Sequence, residues 1–275
     1  MKYIKYIISI IISLQILGCK DTVVNNPAVV EYTKILSAKA GDADIILYTN
    51  GYDSLTTGYN DVYFKVKIGG TYQNKGVVKL YPKMWMSPTY MHSTPVADSF
   101  NFDNSSGYYK GFAIFSMPTS PPDVIWYLNI TYTDENNTNY EADSIAAYTS
   151  LHMEKQWRIF LDTNDYSSYF ITLVKPFSVT KGMNDFNIML HKINTQMTYF
   201  TLLTTPAIFI SVYQIDSLVQ SAGNINPQCG SDGIYKGRIN LPFKGQWNTV
   251  DSIFYNNHFI TNNPPPIPEF NFIVH

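Results

Sequence analysis

The sequence predicts an all-β protein: two tandem β-sandwich domains behind a leader that is removed on export. Three observations predict it. With 22 tyrosines and only 15% charged residues, the composition favours pleated, half-buried strands over long helices. Alternating apolar runs are separated by Gly, Asn, Asp and Pro turns at regular spacing, the pattern of sandwiches. The chain also carries the same landmarks twice.

Residues 1–18 read as the leader. Lys2 and Lys5 precede an apolar run from Ile7 to Leu17, and Gly18 stands before Cys19. A charged start, a short apolar run and a small residue form an export signal. The run is shorter than the ~20 residues that cross a bilayer as a helix. The Leu17-Gly18-Cys19 ending resembles the lipobox of bacterial lipoproteins. That resemblance implies acylation of Cys19, a palmitate-type lipid anchor, and a place in the cell envelope on the periplasmic or outer-membrane face. Several acyl chains hold a protein stably where one holds it marginally. Residues 19–29 follow as a polar tether.

The first domain is expected over residues 30–138. Ile45 to Tyr48 reads as a strand, and Gly58-Tyr59-Asn60-Asp61 as a turn leading into the alternating strand Val62 to Ile68. Glycine supplies that turn because it accepts φ > 0 without Cβ strain. Gly107-Tyr108-Tyr109-Lys110-Gly111 reads as a short strand with one tyrosine inward and lysine outward, and Trp126 marks the next strand region. The second domain, residues 139–275, is a degenerate copy. Ala142 to Met153 is expected to hold one or two helical turns, and Trp157 to Leu161 to open the unit as a strand. Phe170 to Leu173, Gly182-Met183-Asn184-Asp185, the strand Phe186 to Ile193, Gly233-Ile234-Tyr235-Lys236-Gly237 and Trp247 then repeat the landmarks at offsets of 124, 126 and 121. The prolines 264–266 and 268 impose an extended tail. Phe270 to Val274 is expected to close as an edge strand.

One stretch suggests chemistry. Met84, Met86, Met91 and His92 fall within nine residues. Met84 and Met86 share a strand face, and Pro88 lets Met91 and His92 fold back over it. Thioether and imidazole suit Cu(I) and are poor ligands for Mg²⁺ or Ca²⁺. Methionine also fills irregular core gaps, so a packing role is the competing reading. A strand ending Pro-x-Met-x-Met, then Met-His-Ser-x-Pro, Gly-x-Tyr-x-Gly and a Trp-bearing strand resembles the YtkA-like/FixH-like family. The resemblance implies small extracytoplasmic immunoglobulin-like domains, some of them associated with copper handling. It covers residues 43–132, and residues 168–255 by the skeleton alone. The counterpart stretch Ile208 to Leu218 has neither methionine nor histidine.

Other classes are set aside. A net charge of −2 offers no clustered basic face for nucleic acid. Cys229 is the only cysteine besides Cys19, so no disulfide forms within the domains. It reads as a free thiol in a loop or a small buried group, without the electropositive neighbour that activates a nucleophile. No phosphate loop, Cys-x-x-Cys or His-Glu-x-x-His occurs, and the remaining histidines are scattered. Asp42 and Asp44 read as a solvated turn. The sequence therefore predicts a non-enzymatic, membrane-anchored envelope lipoprotein that binds a partner or joins an envelope assembly. The alternative is a copper-binding or copper-delivery protein using the Met/His set. The surplus of tyrosine suits protein or glycan contact, although most of the rings are expected to line the cores.

Overall fold

The computed structural model describes residues 32–87, 89–261 and 267–275. The leader, Cys19, the tether, Pro88 and residues 262–266 of the proline tail lie outside the described residues.

In chain order the strands are β1 (Tyr32–Ala40), β2 (Ala43–Asn50), β3 (Leu55–Thr56), β4 (Gly58–Ile68), β5 (Thr71–Tyr72) and β6 (Val77–Ser87). There follow β7 (Tyr90–His92), β8 (Phe100–Asp103), β9 (Tyr108–Phe115), β10 (Trp126–Thr133), β11 (Asn139–Ala147) and β12 (Thr149–Ser150). They build one curled sheet in the order β1-β2-β4-β9-β8-β6-β10-β11, with β5 on β4 and β7 on β6; β12 pairs β3 in parallel. Its two ends, β1 and β11, lie against each other. Alternate residues therefore point into one enclosed core, with Leu47, Phe64, Phe100, Phe115, Trp126 and Ile130 at its centre.

The later strands are β13 (Trp157–Leu161), β14 (Ser168–Lys175), β15 (Gly182–Ile193), β16 (Phe200–Leu202) and β17 (Ala207–Gln214). The chain ends with β18 (Ile225–Cys229), β19 (Tyr235–Leu241), β20 (Gly245–Tyr255), β21 (His258–Phe259) and β22 (Glu269–Val274). One sheet runs β13-β14-β15-β19-β18, and a second sets β17 and β22 on either side of β20. Their facing sides share a core that includes Ile171, Phe186, Ile188, Trp247, Ile253 and Phe270. Among the described residues there is no helix. The protein is all-β.

The two halves pair their strands in the same register. Ile45 faces Val66 and Phe64 faces Tyr109; Ile171 faces Leu190 and Ile188 faces Tyr235. Trp126 faces Met84 on one side and Ala147 on the other; Trp247 faces Gln214 and Phe272. Each tryptophan is fully buried and donates its indole N–H, to Met117 or to Phe243 carbonyl oxygen, at 3.0 Å in both cases. The Gly-x-Asn-Asp motif also has one meaning in both places. Asn60 accepts from the Thr56 N–H at 3.0 Å and donates to the carbonyls of Thr56 and Gly58 at 2.8 Å. Asn184 makes the same three bonds to Thr180 and Gly182. The motif is not the turn expected before the strand: its four residues are the first of β4 and of β15, and each asparagine ties that strand start back to the residue four before it, across a glycine at φ +77° or +99°. As expected, Tyr109 and Tyr235 point inward while Lys110 and Lys236 are exposed.

Two expectations are corrected. Residues 142–153 hold no helical turn: β11 hydrogen-bonds to β10, and Ala142 and Ala147 enter the first core. For the same reason residues 139–147 belong with the first half, although the sequence places a boundary at 138/139. The short polar run Asp134–Asn139 is only the hairpin between β10 and β11. The strand at 157–161 and the closing strand β22 are observed as expected.

A third core joins the halves. Tyr59 and Ile114 on the outer face of the first sheet pack with Phe170, Val174, Met189 and Ile193 on the outer face of β14 and β15. Burying each such Phe, Met or Ile contributes roughly 1.5–3 kcal/mol. His191 is sealed into the same layer, 1% exposed, with its ring 6.2 Å from that of Phe112. Among the described residues neither of its nitrogens has a hydrogen-bond partner, and burial lowers its pKa to about 3. The histidine is neutral there.

Candidate functional site

The Met/His stretch forms a hairpin: β7 folds back on β6 and places His92 opposite Met84 and Met91 opposite Trp85. Opposed residues share a face and successive pairs alternate, so Met84 and His92 point inward and Met91 points outward. Met84 is fully buried in the first core. His92 is 5% exposed, stands edge-on to Trp126 with ring centroids 5.3 Å apart, and holds the Ser93 carbonyl at 3.0 Å through Nδ1. A bulge between Trp85 and Ser87 turns Met86 out to solvent. Met117 is partly buried and packs on the same core. The hairpin thus brings two of the four residues together and separates the other two. Cys229, at the end of β18, lies half-buried against the second core, and burial pushes its thiol pKa up.

A second constellation was not legible in advance. On β4, residues 62, 64 and 66 enter the core, so Tyr59, Asp61, Tyr63, Lys65 and Lys67 face outward. Tyr32 from β1, Tyr48 from β2 and Tyr108 from β9 meet Tyr63 there. Ring centroids are 4.6 Å apart for Tyr32–Tyr63, 4.3 Å for Tyr32–Tyr108 and 5.2 Å for Tyr48–Tyr108. The Lys65 ammonium lies 4.3 Å from the Tyr108 ring, and Lys67 lies 4.4 Å from the exposed ring of Tyr72. Tight contact between rings and cations holds this platform rigid at low entropic cost. The alternation of Tyr63, Lys65 and Lys67 is visible in sequence, but which face of β4 is buried is fixed only by its neighbours.

Further along that face the platform gives way to a cleft of about 330 Å³ between the halves. Asp61 and Lys110 line it from the first half, and Lys175, Asp232 and Lys236 from the second. Lys155, in the connector between β12 and β13, closes its floor. The two lysines of the duplicated Gly-x-Tyr-Lys-Gly landmarks therefore meet at one place.

No family model matches the chain, so the YtkA-like resemblance stands on its motif residues alone. No curated protein matches it. Among solved structures, the D0-D1 domain of Intimin aligns with 89% of this chain and 98% of that chain, at 12% identity and a TM-score of 0.22. So loose a likeness carries no argument; the all-β assignment rests on the strand ladders and cores.

Proposed function

We propose that the protein is a non-catalytic lipoprotein of the bacterial cell envelope, tethered through Cys19 and binding an envelope partner through the tyrosine platform of its first half. The observation that supports the reading is the platform itself: the half-buried rings of Tyr32, Tyr48 and Tyr108 linked over the buried Tyr63, with Lys65 over Tyr108 and Lys67 over the exposed Tyr72. Such surfaces give large amphipathic contact area with few rotors to freeze. The matching registers of the two halves support an ancestral duplication of one sandwich domain.

Two measurements test this reading. Cys19→Ala is expected to move the protein from the membrane pellet to the soluble fraction; retention in the pellet defeats the anchor. A photo-crosslinking residue at Tyr72, beside the platform, is expected to capture an envelope component. Capture should be lost with Tyr48→Ala/Tyr108→Ala and absent from a probe at the exposed Ile273 of the second half. Equal capture from both positions removes the platform from the proposal.

A second reading, Cu(I) binding at the hairpin, is supported by the direct opposition of Met84 and His92. One equivalent of Cu(I) is then expected to bind under reducing conditions, and His92→Ala to abolish it. An unchanged titration ends that reading.

A further inference from the structure

We propose that the cleft between the halves binds a small hydroxylated anion, a sugar carboxylate or a sugar phosphate, with the Lys155 ammonium as its counter-charge. The inference is independent of the lipid tether and of the platform's partner.

Lys155 is the unusual group. It is 3% exposed, and a lysine that deeply buried is rare unless a carboxylate neutralises it. Its Nζ donates to the Thr56 hydroxyl at 2.7 Å and makes no ion pair among the described residues. Aromatic rings supply the rest of its surroundings: the Tyr52 ring at 4.0 Å and the Phe177 ring at 5.2 Å. An ammonium has three donors, and one hydroxyl satisfies one of them.

The backbone holds this arrangement in place. A Cβ on Gly58 would lie 2.5 Å from the Lys155 carbonyl oxygen, so the connector docks where only glycine leaves room. The Asn60 clamp fixes the same strand start, and its oxygen also accepts from the Thr56 hydroxyl at 2.9 Å. That hydroxyl is thereby oriented with its lone pairs towards Lys155.

Charge and size decide the class of ligand. Four lysines face two aspartates across the cleft, and Asp232 is already engaged by Lys236 at 2.7 Å. Asp61 is bonded by the Tyr59 hydroxyl at 3.1 Å. The remaining positive charge calls for an anion. A volume of about 330 Å³ is at the lower end of the ~300–1,000 Å³ of ligand pockets. Asn50 and Asn187 offer amides for hydroxyl groups, and Tyr52, Tyr59 and Phe177 offer ring faces.

Burial lowers the Lys155 pKa to about 8, with Asp61 pulling the other way. The other titratable groups around it are Lys110, Lys175, Asp232, Lys236, Tyr52 and Tyr59, and on its own connector His152, whose Nδ1 lies 3.0 Å from the Glu154 carboxylate. A bound anion favours the ammonium, so binding takes up a proton and weakens about tenfold per pH unit above the lysine's pKa.

The test is calorimetric titration of the chain with glucuronate and with glucose 6-phosphate, using glucose as the neutral control. One or both anions are expected to bind and glucose not to; the arm that binds identifies the anionic group. Lys155→Met keeps the stem against its aromatic neighbours and is expected to weaken binding roughly 10–100-fold. Wild-type titration at pH 9 in two buffers of different ionisation enthalpy is expected to show uptake of about one proton per anion. That second readout does not depend on the variant folding. No binding of either anion, equal binding of glucose, unchanged affinity in a folded Lys155→Met, or no proton uptake would each overturn the proposal.

Discussion

Asp251→Asn is expected to make the protein more stable at pH 7 and markedly more sensitive to acid. Two buried titratable groups, with opposite signs, produce this result. His191 has its pKa lowered from 6.5 to about 3 by burial in the layer between the halves. The unfolded chain therefore holds the extra proton between those values, and stability present above pH 6.5 is lost as the pH falls towards 3. At 1.36 kcal/mol per unit, the loss is roughly 5 kcal/mol. Asp251 on β20 is wholly buried, neither carboxylate oxygen has a partner among the described residues, and burial raises its pKa well above 3.8. The folded chain holds that proton, so Asp251 contributes stability that is full below pH 3.8 and is lost as the pH rises. In wild type the two slopes oppose each other. Removing the carboxylate exposes the His191 slope alone, whereas His191→Phe leaves the opposite slope. The Asp162–His258 pair, at 2.6 Å, is common to all three proteins and cancels from the comparison. Urea denaturation at pH values from 3 to 7 measures the three profiles. Identical profiles for wild type and Asp251→Asn would refute the account.

Trp247→Ala is expected to cost about 3–5 kcal/mol, the usual range for emptying a fully buried tryptophan site. The loss includes the bond to the Phe243 carbonyl as well as the cavity. Because the halves share the core around Phe170 and Met189, the variant is expected to unfold in one transition, with the first half melting at the same denaturant concentration. Fluorescence and far-ultraviolet circular dichroism give the comparison. Two separated transitions would mean that the shared layer does not couple the halves. Trp126→Ala should behave alike, since Trp126 occupies the same register in the other half.

Much of this architecture is legible in the residues. Alternation identifies β4 and β15, glycine with asparagine marks where each of them starts, and the buried tyrosines of β9 and β19 follow from the inward-outward rhythm. The clamps of Asn60 and Asn184 were visible as spacing but not as chemistry, because their bonds run to backbone groups that no sequence displays. In residues 142–153, Ala142, Ala146 and Ala147 favour helix locally, and pairing with β10 overrides that preference. Strand alternation puts Met84 and Met86 on one face, but the bulge after Trp85 breaks that rhythm and turns Met86 to solvent. Lys155 and His191 gave no signal. Their burial comes from the packing of one half on the other, which depends on outer faces that a single-domain pattern reads as wet.

The seating of Lys155 against Gly58 has a bearing on how such a chain diversifies. Each half borrows part of its lining from its sibling, so neither is a freely tradable module. A polypeptide truncated after Ser150 would bare Tyr59, Phe112 and Ile114 together and would tend to self-associate rather than persist as a monomer. Recombination that shuffled one half into another setting would have to carry the linker and its lysine along with it.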